Sequence, residues 1–430
     1  MNYKTIKLLA VFSLLSAGCT NSVIETITYL VNEPKFMPID AFRSSVNVTT
    51  KSVSIGNYGK MCFYNGYIFI SEIEKGIHII NNSDPSNPKN IGFIELIGNA
   101  DLAIRNDKLY ADSFIDLVWF DISNPEKPIF EGRLEEVFPS ALPSTENRHG
   151  IDYSLCYDAN GNVATGRGVI VGWELKERTT TTTTTYRLNI DGRWETLRDM
   201  KMSSPSGDRG SSIGINGSMS RFSLYKDYLY SVINNYMSII DLSGTEPVKA
   251  VESVYVGMNV ETIFSYKENM FMGTPTGMLI YSVANPLIPE YMSSVWHVFG
   301  CDPVVVENDI AYITVHSGNL CGQNANELII YDVRDVKEPK HIVTYAMTKP
   351  KGLGVDNGIL FVCDSGLKIY DSTNPQTLMA NRLAYYGGMD GYDVIPFDNV
   401  LMMIADDGLY QYDYSDPTKI RQLSKLPIVK

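Results

Sequence analysis

No stretch of this chain is long and apolar enough to cross a bilayer as a mature helix; the run from Leu8 to Leu15 is too short. Positive charge is also in deficit. Lys+Arg number 36 against 49 Asp+Glu, a net charge of −13, so no basic footprint for a nucleic-acid partner exists. Histidine occurs only five times, and no HExxH or GxxxxGK[ST] is present. No GxSxG sits between an expected strand and helix, which removes the nucleophile elbow. No CxxC or Cys/His cluster suggests zinc, and neither a metal nor a cofactor is expected. What the chain does have is 27 tyrosines and 33 glycines, a mix that favours β-structure with many turns.

The N-terminus carries Lys4 and Lys7, then the apolar run, then Ser16-Ala17-Gly18 and Cys19. This is the layout of a secretory signal. Small residues directly before a cysteine resemble a bacterial lipobox, with the usual leucine displaced by one place. The resemblance implies removal of residues 1–18, which lowers the net charge from −13 to −15 by two lysines, and a lipid on Cys19. Residues 19–51, polar and weakly patterned, are expected to be the anchor and a tether for a single domain over 52–430. Residues Thr20-Asn21-Ser22-Val23 lack the acidic cluster of a surface-export signal, which leans towards an outer-membrane protein facing the periplasm. Export leaves five further cysteines. Cys62 and Cys363 lie in apolar strands and read as buried thiols, while Cys301 and Cys321 are candidates for a disulfide.

A repeat organises the rest. A hydrophobic run followed by a polar turn recurs as IINNSDPSNP, WFDISNPEKP, IIDLSGTEP, IYSVANPLIP, IYDVRDVKEP, IYDSTNPQTL and QYDYSDPTKI. Asn81, Asp121, Asp241, Ser282, Asp332, Asp371 and Asp413 hold one fixed place, at spacings of 40, 120, 41, 50, 39 and 42. Each unit holds four short β segments separated by turn residues. Asp or Ser side chains cap N–H groups in the marked turn, and proline ends the ladder. Four-stranded units of about 40 residues read as a β-propeller. Seven turns argue for seven blades, with eight as the alternative.

The segments LVWFDISNPEKP and LIIYDVRDVKEP resemble the LVIVD repeat of bacterial surface and periplasmic proteins. With its signal, the segment NEPKFMPIDAFRSSV, the unit GIHIINNSDPSNP and the end DDGLYQYDYSDP, the chain resembles LVIVD-repeat lipoproteins of Bacteroidetes. The resemblance implies a propeller and an envelope address. It implies no activity, because that family has no settled biochemical role.

Residues 139–215 break the period. They contain GVIVGWELKE, threonine from 179 to 185 and YRLNIDGRWETL. They are read as a long β-hairpin insertion or a degenerate eighth blade. Trp173 and Trp194 either pack this hairpin onto the ring or line a partner surface.

In a propeller, strand A lines the central channel. A charged residue falls near the start of strand A in every unit: Lys60, Asp101, Arg221, Glu261, Asp302, Lys351 and Asp393. Acids also end strand B at Glu72, Asp112, Asp364 and Asp406. One reading is a mostly acidic channel mouth that binds a cation, a sugar or a basic peptide group. The other is a set of solvated ion pairs and turn caps. The favoured function is a non-enzymatic protein- or glycan-binding scaffold, anchored to the membrane by its N-terminal lipid. The alternative is a polysaccharide hydrolase or lyase using Asp101, Glu261, Asp302 and Asp393.

Overall fold

The computed structural model describes residues 20–138, 140–145, 147, 149–158, 163, 166–188, 194–196, 215–233, 235–251, 253–257, 260–296, 303–316 and 325–429. Among the described residues, seven sheets contain four-strand antiparallel meanders, termed blades 1–7, with strands A to D in chain order. They span 58–95, 102–134, 222–255, 262–296, 304–346, 350–386 and 391–427. The A strands are Tyr58–Tyr64, Leu102–Arg105, Phe222–Tyr225, Thr262–Tyr266, Val304–Glu307, Pro350–Asp356 and Gly391–Phe397.

The turns between strands follow from their residues. Between A and B, the chain takes positive φ at Asn65, Asn106, Asp107, Asn308, Asp309, Asn357, Asp398 and Asn399. Short amide and acid side chains tolerate that region, and such turns match the twist of a tight hairpin. Between C and D, each of the seven marked residues accepts the backbone N–H two positions on, at 2.7–3.3 Å. A second such turn follows at Asp84, Asn124, Asn285, Asp335, Asn374 and Asp416, at 2.9–3.2 Å. Proline stands directly after five of these six, fixing φ where the ladder must stop.

Strands B and C are buried on both faces, so neighbouring blades share apolar cores. Phe69, Ile79, Leu102 and Phe120 join blades 1 and 2; Trp119, Phe222 and Leu229 join blades 2 and 3. The series continues round to blade 7, which meets blade 1 through Ile68, Ile70, Ile404 and Leu409. Among the described residues no sheet mixes strands from the two ends of the blade array. The seam is closed by this core, by ring contacts of Tyr58 with Tyr392 and Phe63 with Phe397, and by Val429 N–H donating to Ile55 O at 2.8 Å.

The N-terminal segment and the insertion differ from their sequence reading. Residues expected to form a tether include a strand, Thr20–Met37, a short helix, Ile39–Arg43, and a strand, Asn47–Thr49, on the outer edge of blade 1. The threonine run lies in the strand Val169–Leu188, as its β propensity implies, but this strand does not pair mainly within the insertion. It forms an antiparallel ladder with Thr20–Met37, from Thr20 opposite Arg187 to Met37 opposite Val169. Among the described residues, its far end also pairs with Trp194–Thr196. Periodicity reveals a strand and is silent on a partner about 150 residues away.

The root of this arm is built into blade 2. Phe42, Phe114, Ile115, Cys156, Val169 and Ile170 form a satellite core. Trp173 packs there and donates its indole N–H to Pro143 O at 3.1 Å. Asp116, fully buried, takes Arg43 and Arg133, each at 3.0 Å. The side chain of Trp194 lies outside the described residues. Among the described residues no helix is long and apolar enough to cross a membrane.

Candidate functional site: the central channel

The inner ends of three A strands carry β-bulges. Register shifts occur between Tyr58 and Met61, between Pro350 and Leu353, and between Gly391 and Asp393. A bulge re-aims side chains and frees backbone groups from the ladder. Lys60, Lys351 and Tyr392 therefore leave the regular pairing at the channel, with Asp393 next to the last of them.

The freed groups meet a segment whose function the sequence did not reveal, residues 215–221 (INGSMSR), at the end of the insertion. Ile215–Asn216 adds a short strand to the inner edge of blade 1, opposite Phe63 and Cys62. Gly217 N–H donates to Met61 O at 3.4 Å. Ser218 donates both its N–H and its hydroxyl to Asp393 Oδ1 in blade 7, each at 3.1 Å. The same hydroxyl accepts Leu353 N–H from blade 6 at 2.8 Å. Ser220 donates its hydroxyl to Asp101 Oδ1 beside blade 2 at 2.9 Å, and its carbonyl accepts Ile263 N–H from blade 4 at 3.3 Å. Arg221 then enters blade 3. A segment that touches the inner strands of four blades and the entry to a fifth, and leads into a sixth, lies on the axis of the ring. Ser218, Ser220 and Arg221 are buried.

The fit leaves no room for larger residues. A Cβ on Gly217 would sit 1.8 Å from Asp393 Oδ2, and one on Gly352 would sit 2.4 Å from Asp393 Oδ1.

The charged ring serves this segment. Arg221 reaches Asp112 Oδ2 at 3.1 Å and Asp101 Oδ2 at 3.6 Å, and its backbone N–H donates to Asp101. Asp101 and Asp112 are shielded from solvent. Burial pushes the Asp101 carboxyl up, against the opposing charges of Arg221 and Lys60. Burial likewise pushes Asp393 up to about 6, although Lys60 and the Ser218 and Val394 hydrogen bonds favour its ionised form. Burial lowers the Arg221 value, and Asp112 and Asp101 oppose that shift. Lys60 stands over the Tyr392 ring, 5.9 Å from its centroid.

The acids at the ends of strand B are caps. Asp112 Oδ1 accepts from Ala100 and Asp101 N–H at 2.7 and 2.8 Å. Asp364 accepts from Thr348 and Lys349 N–H at 3.1 and 2.5 Å and pairs with Lys368. Asp406 accepts Asp390 N–H at 3.3 Å. Glu72 accepts Gly56 and Asn57 N–H at 2.9 and 2.8 Å and His78 Nε2 at 3.1 Å. Burial alone would raise its pKa; these donors carry it below the usual value.

Lys60, Asp101, Asp112, Arg221 and Asp393 are thus brought together on the axis. Lys351 pairs instead with Asp390 at 2.8 Å, and Glu261 lies half-buried before strand A of blade 4. Asp302, Cys301, Cys321 and Cys19 fall outside the described residues. Cys62 and Cys363 are buried thiols, as is Cys156, and burial raises all three. Among the described residues no group of three or more His, Cys, Asp or Glu is placed to hold a metal. Sequence reasoning missed Ser218, Ser220 and Gly217; a small-residue run at the end of an irregular insertion was the available signal.

Similarity to known proteins is confined to repeat and shape. No curated protein matches the chain. Among solved structures, a computationally designed protein, Ika8, is 8% identical with a TM-score of 0.48, over 88% of this chain and 90% of that one. The periplasmic gluconolactonase of Pseudomonas aeruginosa is 12% identical with a TM-score of 0.46, over 86% and 96%. BamB of Moraxella catarrhalis is 8% identical with a TM-score of 0.44, over 85% and 96%. The family model of the LVIVD repeat matches residues 100–135, which are blade 2 with its entry loop, and 216–248, from the axial segment to the last turn of blade 3. The similar segment in blade 5 is outside the match. The chain is a repeat-built β-propeller with LVIVD repeats in two of its blades.

Proposed function

We propose that this protein is an exported lipoprotein, anchored through Cys19 to the outer membrane and facing the periplasm, that acts as a non-enzymatic binding scaffold for an envelope protein or glycan. The observation that carries this reading is the filled axis. Asp101, Asp112, Arg221 and Asp393, four of the groups expected to receive a ligand at the channel, are spent on or within residues 215–221. Binding is then a task for the outside of the ring. There, Tyr255, Tyr291 and Trp296 on the outer strands of blades 3 and 4 are 62%, 52% and 63% exposed. Exposed aromatic groups of this size support a recognition surface.

Glycoside hydrolysis needs two accessible carboxyls about 5 or 6.5–9.5 Å apart. Asp101 and Asp393 are buried and hydrogen-bonded to the axial segment, so no specific observation favours the hydrolytic reading. Affinity capture from envelope extracts tests the scaffold. A reproducible protein or glycan should be retained by the wild type and reduced in a Tyr291→Ala, Trp296→Ala variant. A monodisperse protein that retains nothing, or one that cleaves envelope polysaccharide, would overturn the proposal.

A further inference from the structure

The arm differs from a tether in a way that sets geometry. Cys19 directly precedes the first ladder pair, Thr20 with Arg187. No slack separates the proposed lipid from ordered backbone. Pairing is continuous from there to Lys35 opposite Gly172. Cross-strand hydroxyl contacts join Thr26 to Thr181 at 3.2 Å and Thr28 to Thr179 at 3.1 Å. Both ends are tied: the tip gains a third strand, Trp194–Thr196, and the root is fixed by the Phe42 core and Trp173. At the root, Asn32 also bonds to Asn147 at 3.0 Å, and Arg178 bridges Glu33 at 2.8 Å. A lone two-stranded ribbon is marginal in water; ties at both ends are what this one adds.

Residues 26–30 and 174–181 are exposed, so the outer arm stands clear of the ring. Over residues 26–30 and 174–181 it does not present the apolar face needed to lie along a bilayer. Ile27 and Tyr29 share one face with Thr180 and Arg178, whereas Leu30 and Leu175 lie on the other with Thr28, Thr179 and Glu177. Each face mixes apolar, hydroxyl and charged groups.

We infer that the paired strands Thr20–Met37 and Val169–Leu188 form a post of fixed height that holds the ring off the bilayer. The inference rests on the lipid-anchor reading above. Residues 20–30 rise about 3.3 Å each, giving a clearance of about 35 Å. The threonine run supplies the second strand of the post with β-branched residues that favour extended backbone.

The test uses full-length lipidated protein on supported bilayers, with ring height read by neutron reflectometry. Wild type should show a gap of about 35 Å. Removal of residues 22–27 together with their partners 180–185 deletes six ladder pairs. An even number keeps every remaining side chain on its face, and the gap should shrink by about 20 Å. A wild-type ring lying against the bilayer, or a shortened protein at unchanged height, overturns the post and leaves the anchor intact. Cys19→Ala separates the two readings: the variant should leave the bilayer. If it binds as well as wild type, the anchor reading fails and the post with it.

Discussion

Replacing Arg221 with methionine isolates the charge at the axis. Methionine keeps most of the buried stem and removes the guanidinium, so the void is small and the electrostatic loss dominates. Asp101 and Asp112, 0% and 1% exposed, then lose the cation at 3.6 and 3.1 Å. Stripping one partner from a buried ion pair costs about 3–5 kcal/mol. The cost depends on pH with a definite sign. Burial already raises the folded Asp101 carboxyl, and loss of Arg221 raises it further. A carboxyl raised in the folded state is protonated there while the unfolded chain, near pKa about 3.9, has released its proton. Stability therefore falls as pH rises from the unfolded value through the folded one. Urea unfolding of wild type and Arg221→Met at pH 4.5 and 7.5 should show a larger loss at the higher pH than at the lower. Adding Asp112→Asn should recover about 1–2 kcal/mol at pH 7.5, because the sites share one network. A loss below about 1 kcal/mol, or an equal loss at both pH values, would refute this account of the axis.

Gly217→Ala should destabilise by about 1–3 kcal/mol, as expected of overpacking against a fixed neighbour, since its Cβ meets Asp393 at 1.8 Å; a neutral result in urea melts would show that the segment shifts freely. Asp393, pushed up to about 6 by burial, should make the wild type lose about 2 kcal/mol between pH 4 and 7 relative to Asp393→Asn, which cannot titrate; parallel stability curves for the two proteins would contradict this. Asp371→Ala removes the cap on Thr373 N–H at 2.9 Å and should lower the melting temperature slightly with partner capture unchanged. Trp173→Ala should loosen the root of the arm, read as faster proteolysis within 169–188, while the blades keep their resistance.

The blades were legible because their signals are local. An acceptor at Asp121 or Asp413 caps an N–H two residues on, and the fixed position sets the register of the strand beside it. The register in turn placed Asp101, Arg221 and Asp393 at one level. Their use was not legible, because it depends on what fills the axis. Ser218 is bonded to Asp393, 175 residues away, and to Leu353, 135 residues away, and neither link has a periodic trace. The arm hides its pairing for the same reason. Thr179–Thr185 announces extended backbone, but nothing in it names residues 22–28 as the opposite strand.

The axial segment also constrains how the molecule is made. It precedes blades 3 to 7 in the chain and pairs with blade 1, which is synthesised before it. The later blades are thus laid down around a core made of the same polypeptide, much as staves are set around a former. The final seam, where Val429 meets Ile55, shuts only when the last residues arrive. A chain stalled before residue 353 would lack both Leu353 and Asp393, the two partners that Ser218 holds on the axis. Early termination, rather than substitution at the surface, is the lesion this architecture tolerates least.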